Sequence, residues 1–439
     1  MELLQNEALS ESIICDNISK NDFGHLTFAN RDVAELANKY STPLMLFDDE
    51  KAIRNANVFS TALSTCGGFP LYAGKALSIK HIYKLLKPLN FGIDVVSCGE
   101  IATAKAADFP LEKAFFHGNS KTDSDIAFAI KNDVGYFVVD NLDELLSVDK
   151  IAGEMGKIQK ILLRITAGID PHTFAAVNTA SIDTKFGTAV SDKAAFDITQ
   201  KALELENISL CGFHCHIGSQ IFDCKPFINE ADIMLDFMAE VRDRLGYTAK
   251  MLNLGGGFAV RYLTIDAETS PTSIITSVIE SIRKKCSEKD YPFPTLLFEP
   301  GRAIVANAGM TVYTVCAVKK AGNKNYVLVD GGMTDNPRFA LYGSKYTVIL
   351  ANRALLKPDF CCTIGGRCCE SGDIIAENIY IPKPKRGDLI AVCTTGAYNY
   401  SMASIYNRVS KPPIVSLSKK GDRLIVRRET LQQIIENDL

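Results

Sequence analysis

No stretch of this chain approaches the ~18–20 consecutive apolar residues that cross a bilayer, so a membrane-spanning helix is not expected. Charge of one sign is missing as well. The 48 basic residues stand against 51 acidic ones, which argues against a polyanion or nucleic-acid partner. The one basic knot, Lys383-Pro384-Lys385-Arg386, runs into Gly387-Asp388 and reads as a solvated turn. The first residues, MELLQNEALSES, lack the basic start and apolar core of a signal peptide. These absences lead to the expectation of a cytoplasmic protein.

Zinc-type cysteine spacing is also absent. There are 13 cysteines, but Cys361-Cys362 and Cys368-Cys369 are adjacent pairs without the two- to four-residue gaps of a zinc site. Others, such as Cys15, Cys211, Cys316 and Cys393, sit within apolar runs, where cysteine acts as a small hydrophobe. A reducing compartment with few or no disulfides follows. His214 and His216 could share a strand face, yet no third ligand stands at suitable spacing, so no metal is expected.

What the sequence does contain is a rhythm. Eight short apolar runs stop at polar, charged or glycine clusters: FPLYAGKA, FGIDVVSCGE, AFFHGNSK, GYFVVDN, KILLRIT, CGFHCHIGS, MLNLGGG and TLLFEPGR. Stretches long enough for helices, such as Ser78–Leu89 and Ile228–Leu245, lie between them. Strand then helix, eight times over, predicts an α/β fold built on a (β/α)8 TIM barrel over residues 48–303. In that fold the run ends converge on one pocket. Beyond Arg302 the rhythm changes to β-rich segments, TVYTVCAVKK, NYVLVDGG, DIIAENIYIP and DLIAVCTTG, separated by turns. They predict a C-terminal β-barrel or β-sandwich domain over 304–417. Residues 1–47 contain strand-like pieces (HLTFAN, TPLMLFD) that could add strands to it, and 418–439 would form a strand and helical tail.

Three run ends carry chemistry. Lys75 closes the first run, where a desolvated ammonium would have a lowered pKa and act as a Schiff-base nucleophile; the bland alternative is a lysine reaching to water. Gly255-Gly256-Gly257 closes the seventh, and three glycines let backbone N–H groups turn toward an anion, most usefully ahead of a helix N-terminus. Arg302 in EPGR suits the same anion. Glu299, three residues earlier, would be repelled by a phosphate unless a cation lay between them. A protonated pyridine bearing a phosphate arm meets that requirement, so lysine, cradle and carboxylate together specify pyridoxal 5'-phosphate.

From Tyr72 to Asn407 the series YAGKA, GIDVVSCGE, HGNSK, HCHIGSQ, LNLGGGF, EPGR, DGGMTDNPRFALY, CCESGD and GAYNYSMAS resembles the alanine-racemase-fold (fold type III) pyridoxal-phosphate decarboxylases. It is most similar to those acting on diaminopimelate. The resemblance implies that Lys75 bears the coenzyme, His216 lies against its ring and Ser219 contacts the phosphate. Gly255, Gly256, Gly257, Arg302 and Tyr398 would complete the phosphate site, and Pro300 and Gly301 would also contact the coenzyme. Glu299 would bind the ring nitrogen, with Asp94 and Arg164 beside the ring. Cys369 would be the acid that reprotonates the carbanion and Glu370 a substrate contact. The family also implies a homodimer with shared active sites, because the Cys369 segment reaches the partner's site.

Glu299 bears on reaction type. A carboxylate keeps the pyridine nitrogen protonated and the ring a strong electron sink, which favours decarboxylation; the racemases of this fold place an arginine there. Arg338 and Tyr342 bear on substrate. With Arg302 they could hold a second carboxylate while Glu370 takes the neighbouring ammonium, and Tyr398 would also contact the substrate. The expectation is decarboxylation of meso-2,6-diaminopimelate to L-lysine and CO2, the last step of lysine biosynthesis. Alternatives are a decarboxylase of ornithine, arginine or carboxynorspermidine, and a non-catalytic regulator of the same fold. Arg338 could also be a surface arginine on a β loop. Three departures from the family pattern fall at His172–Phe174, at Phe339, and at RVSKPP after Asn407.

Overall fold

The computed structural model describes residues 14–169, 185–190 and 193–439. The departure at His172–Phe174 and the segment MELLQNEALSES lie outside them. The described residues form two compact units. One takes Asn55–Ala259 and Thr269–Gly301; the other takes the described residues of Met1–Arg54 together with Val260–Glu268 and Arg302–Leu439. Val260–Glu268, inside the span expected for the barrel, thus groups with the β-rich unit. No described helix is long and apolar enough to cross a membrane.

The first unit is the expected barrel. Its strands are β1 Phe69–Ala73, β2 Gly92–Val95, β3 Ala114–Phe116, β4 Tyr136–Val139, β5 Gln159–Thr166, β6 Ile208–His214, β7 Met251–Asn253 and β8 Thr295–Phe298. Each pairs in parallel with the next, and β8 pairs with β1, which closes the ring. Parallel strands covered by helices are buried on both faces, which is why each reads as an unbroken apolar run. Leu71, Phe115, Val138, Leu162, Met251 and Leu297 meet in one cluster, with the Phe115 and Tyr136 rings stacked 4.4 Å apart.

The polar run ends do two jobs. Ser97 Oγ accepts the Glu100 N–H and starts helix Cys98–Lys105. Thr122 and Asp125 form a capping box for Asp123–Lys131, and Asn141 caps Leu142–Glu154. Side-chain oxygens of this kind satisfy helix N–H groups that have no partner within the helix. Strand, cap and helix follow with little intervening chain, so the residues at each strand end are held firmly.

In the second unit the strand Gly309–Ala321 is the hub. It pairs with Leu44–Asp48, Lys324–Val329 and Leu389–Cys393. Leu44–Asp48 also pairs in parallel with Ile414–Ser418, so TPLMLFD supplies an interior strand. HLTFAN goes elsewhere: Leu26–Phe28 joins a separate three-stranded sheet with Ile18–Lys20 and Arg31–Asp32. Phe28, Leu44, Leu46, Met310, Val312 and Leu417 are buried together in one core. The tail forms strand Gly421–Val426 and helix Leu431–Ile435, capped by Thr430 and Gln433.

Candidate active site

Lys75, Asp94, His117, His214, Asn253 and Glu299 stand at or just past the ends of barrel strands and form one polar cluster. Lys75 Nζ lies 3.3 Å from Asp94 Oδ2. Glu299 Oε1 accepts from Asn253 Nδ2 at 2.7 Å and has His117 Nε2 at 2.9 Å. His214 Nε2 lies 3.4 Å from Glu299 Oε2, and His117 Nε2 lies 3.8 Å from Asp94 Oδ1.

Burial by itself would raise the Glu299 carboxyl, but the His117 and His214 rings outweigh it and hold the group well below the usual carboxylate range. His214 is pushed down to about 4, burial outweighing the pull of Glu299. It is therefore a neutral donor to an ionised Glu299. Burial, reinforced by the Lys75 and Arg164 charges, likewise holds His216 well below its ordinary value. Its Nδ1 faces the Gly256 N–H at 3.2 Å, which requires that nitrogen to be unprotonated.

One expectation needs correcting. Lys75 is only partly desolvated: its side chain is 44% exposed, against 0% for Asp94. Strand β1 ends at Ala73, and a tight helical turn over Gly74–Ala76 carries the lysine out of the sheet. Its ammonium faces an open site with a buried carboxylate beneath it. The lysine of HGNSK is the opposite case. Lys121 is buried against Glu144 at 2.6 Å and donates to the Gly118 and Val138 carbonyls, a structural pairing.

The triple glycine is a close backbone crossing. Gly255 and Gly257 have φ of +62° and +112°. A Cβ on Gly256 would lie 2.3 Å from the Glu299 carbonyl oxygen, and one on Gly257 2.6 Å from that of Gly218. Only glycine permits this approach. No helix follows directly, because Pro271–Glu288 begins fourteen positions after Gly257; the anion-binding capacity here is that of the loop itself. Arg164 packs its guanidinium 4.4 Å over the Phe186 ring.

The β-rich unit holds a second constellation. Arg302 Nη1 donates to Tyr262 Oη at 2.7 Å, and its guanidinium lies 4.9 Å over the Tyr398 ring. Arg338 lies 5.5 Å from the centroids of both Tyr398 and Tyr342. Arg302 and Arg338 are buried, so a surface arginine does not describe Arg338. Phe339, beside it, is the second residue of the short helix Arg338–Tyr342. Cys369 and Glu370 lie on an exposed turn. Asp373 holds that turn by accepting the Met333 and Cys368 N–H groups at 2.6 and 2.7 Å, and Asn407 Oδ1 accepts the Cys369 N–H at 2.8 Å.

Sequence reasoning did not single out His117, Asn253, Tyr262, Asp373 or Asn407, and it weighed His214 only as a metal ligand. Among the described residues His117, His214 and Glu299 could present three ligand atoms within 4.8 Å. The same geometry serves a carboxylate gripped by two imidazoles. A signal for Asn253 was present: an amide inside the apolar run MLNL needs a buried partner.

The barrel residues fit pyridoxal phosphate on their own evidence. They offer an accessible amine, a buried ionised carboxylate, a glycine loop, and Asp94 Oδ1, which has no hydrogen-bond partner among the described residues.

Residues 50–306 match the family model of the pyridoxal-dependent decarboxylases, pyridoxal binding domain, and the chain belongs to that class. It is 40% identical over 423 residues to diaminopimelate decarboxylase of Bacillus subtilis, covering 96% of each chain. To that of Bacillus methanolicus it is 39% identical, covering 94% of this chain and 96% of the relative. The crystal structure of diaminopimelate decarboxylase from M. jannaschii with L-lysine superposes with a TM-score of 0.91 at 32% identity, covering 98% and 99%. Within the class, the chain belongs to the diaminopimelate decarboxylase family.

Proposed function

We propose that this chain decarboxylates meso-2,6-diaminopimelate at its D-configured centre, releasing CO2 and L-lysine. The observation that carries the reading is Glu299, an ionised carboxylate just past β8, in the same polar cluster as Asp94 and Lys75. The relatives support the substrate: they are diaminopimelate decarboxylases, and one was solved with L-lysine.

Bound pyridoxal phosphate supplies an electron-accepting ring over which the charge left by departing CO2 is spread. Lys75 would bear it through Nζ, and Asp94 would steady that amine's charge. Glu299 would keep a proton on the ring nitrogen, and His216, neutral, would pack against the ring face. Arg164 would lie beside the ring. Ser219, Gly255, Gly256, Gly257, Pro300, Gly301, Arg302 and Tyr398 would take the phosphate. On the substrate, Arg302, Arg338, Tyr342 and Tyr398 would hold the distal carboxylate and Glu370 its ammonium. Cys369 would hold the proton at Sγ that returns to the α-carbon.

A homodimer with shared sites is part of this proposal, and the exposure of Cys369 and Glu370 in a single chain is consistent with a turn that serves a partner. A cytoplasmic setting agrees with thirteen cysteines standing as free thiols. The test is CO2 release and lysine formation from meso-diaminopimelate, compared with ornithine, arginine and carboxynorspermidine. Ornithine turned over as fast as diaminopimelate would remove the substrate assignment.

A further inference from the structure

His117 lies between the two carboxylates of the barrel site. It follows β3, and its main chain is fixed by an N–H donated to the Val95 carbonyl at 2.8 Å. From there Nε2 reaches 2.9 Å from Glu299 Oε1 and 3.8 Å from Asp94 Oδ1, while Asp94 Oδ2 faces Lys75 Nζ at 3.3 Å. The ring is 5% exposed and stands edge-on to His214, centroids 4.9 Å apart. Its Nε2 makes no aligned hydrogen bond at that distance, so what it offers there is close approach to the carboxylate.

Two buried carboxylates close to one another resist joint ionisation unless a cation or donor stands between them. In a poorly solvated site that electrostatic contribution is large. Lys75 Nζ lies against Asp94. Asn253 reaches only Glu299, and His214 is neutral.

We propose that His117 is a positioning residue which bridges Asp94 and Glu299, so that the carboxylate beside the lysine and the carboxylate for the ring nitrogen are coupled through one imidazole. The inference rests on the assignment of Glu299 to the ring nitrogen. The groups that face this ring or add charge to it are Asp94 from β2, Glu100 from helix Cys98–Lys105, His214 from β6 and Glu299 beyond β8, with Arg164 of β5 farther out.

The experiment titrates the visible absorbance of the coenzyme-loaded protein with pH for wild type, His117→Gln and His117→Ala, and for the same changes in a Glu299→Gln background. Losing His117 makes Glu299 more basic and takes away the imidazole beside Asp94, and both effects raise the titration midpoint of the lysine–coenzyme bond. The expected rise is about one pH unit in the wild-type background and much smaller beside Glu299→Gln, since interacting residues are non-additive. Turnover should fall about tenfold with KM nearly unchanged. An unmoved midpoint in both variants, or an equal shift in the Glu299→Gln background, would overturn the proposal. Should His117→Ala not fold, His117→Gln and His117→Asn keep a polar side chain in place and carry the same readouts. Failure of the unsubstituted enzyme to release CO2 from diaminopimelate would remove the functional reading. The absorbance titration would still decide the role of His117, because it needs only bound coenzyme.

Discussion

Asn253 Nδ2 donates to Glu299 Oε1 at 2.7 Å while Asn253 Oδ1 accepts the Gly255 N–H at 2.9 Å. One amide thus fixes both the carboxylate beyond β8 and the first glycine of the loop after β7. Asn253→Leu strands two buried polar groups and is expected to cost about 2–4 kcal/mol in a denaturant melt. Asn253→Asp sets a second carboxylate against Glu299, and coenzyme affinity by fluorescence titration should drop about tenfold or more.

Glu100 gives a pH signature. Burial pushes its carboxyl up to about 7 from 4.5, the Val96 N–H opposing and the Asp94 charge adding to the rise. A carboxyl raised on folding keeps its proton in the folded chain while the unfolded chain loses it. Its contribution therefore weakens stability as pH climbs from about 4.5 to 7 and stays constant above, a loss of about 3 kcal/mol. Glu100→Gln should remove that slope. Coenzyme-free variant and wild type are expected to match near pH 4.5 and separate at pH 8, the variant being the more stable.

Arg338 tests the substrate. Replacing it with Met keeps bulk against Tyr398 and Tyr342 but removes the charge. Because a charge-assisted hydrogen bond contributes about 1.5–3 kcal/mol, kcat/KM for diaminopimelate should fall roughly ten- to 150-fold. Coenzyme absorbance should be unchanged. A smaller loss than tenfold would place the distal carboxylate elsewhere.

For Cys369→Ala, coenzyme loading is expected to survive while lysine formation collapses; unchanged turnover would exclude this thiol as the acid. Mixing that variant with Lys75→Ala under subunit exchange should restore part of the activity if the two residues of one site come from different chains. Asp373→Ala loosens the same turn by freeing the Met333 and Cys368 amides, and should lower turnover without abolishing it.

The barrel was legible because its strands are short and sealed on both faces. Each apolar run then maps onto one strand, and all eight runs, from FPLYAGKA to TLLFEPGR, contain a strand of the closed ring. Pairing over long separations was harder to read. Nothing local marks Leu44–Asp48 as an interior strand between Gly309–Ala321 and Ile414–Ser418, nor sends Val260–Glu268 to the β-rich unit.

In the site, Glu299 was readable from its place in EPGR, but its partners were not. His117 and Asn253 come from two other strand ends, and only ring closure brings them to it. The wetter setting of Lys75 is not visible in the run pattern, because that pattern does not show that the strand stops at Ala73, leaving the turn to swing the lysine outward.

Tyr398 adopts φ of +62°, a left-handed backbone that a bulky side chain enters only at a cost of about 1–3 kcal/mol. The aromatic ring that two guanidinium groups rest upon is thus held in place by local strain. Tyr398→Gly should relax the chain and raise the melting temperature even as ligand affinity is lost. Selection for heat tolerance alone would erode this corner of the protein, and its persistence in any variant pool is a signature of pressure to keep the chemistry.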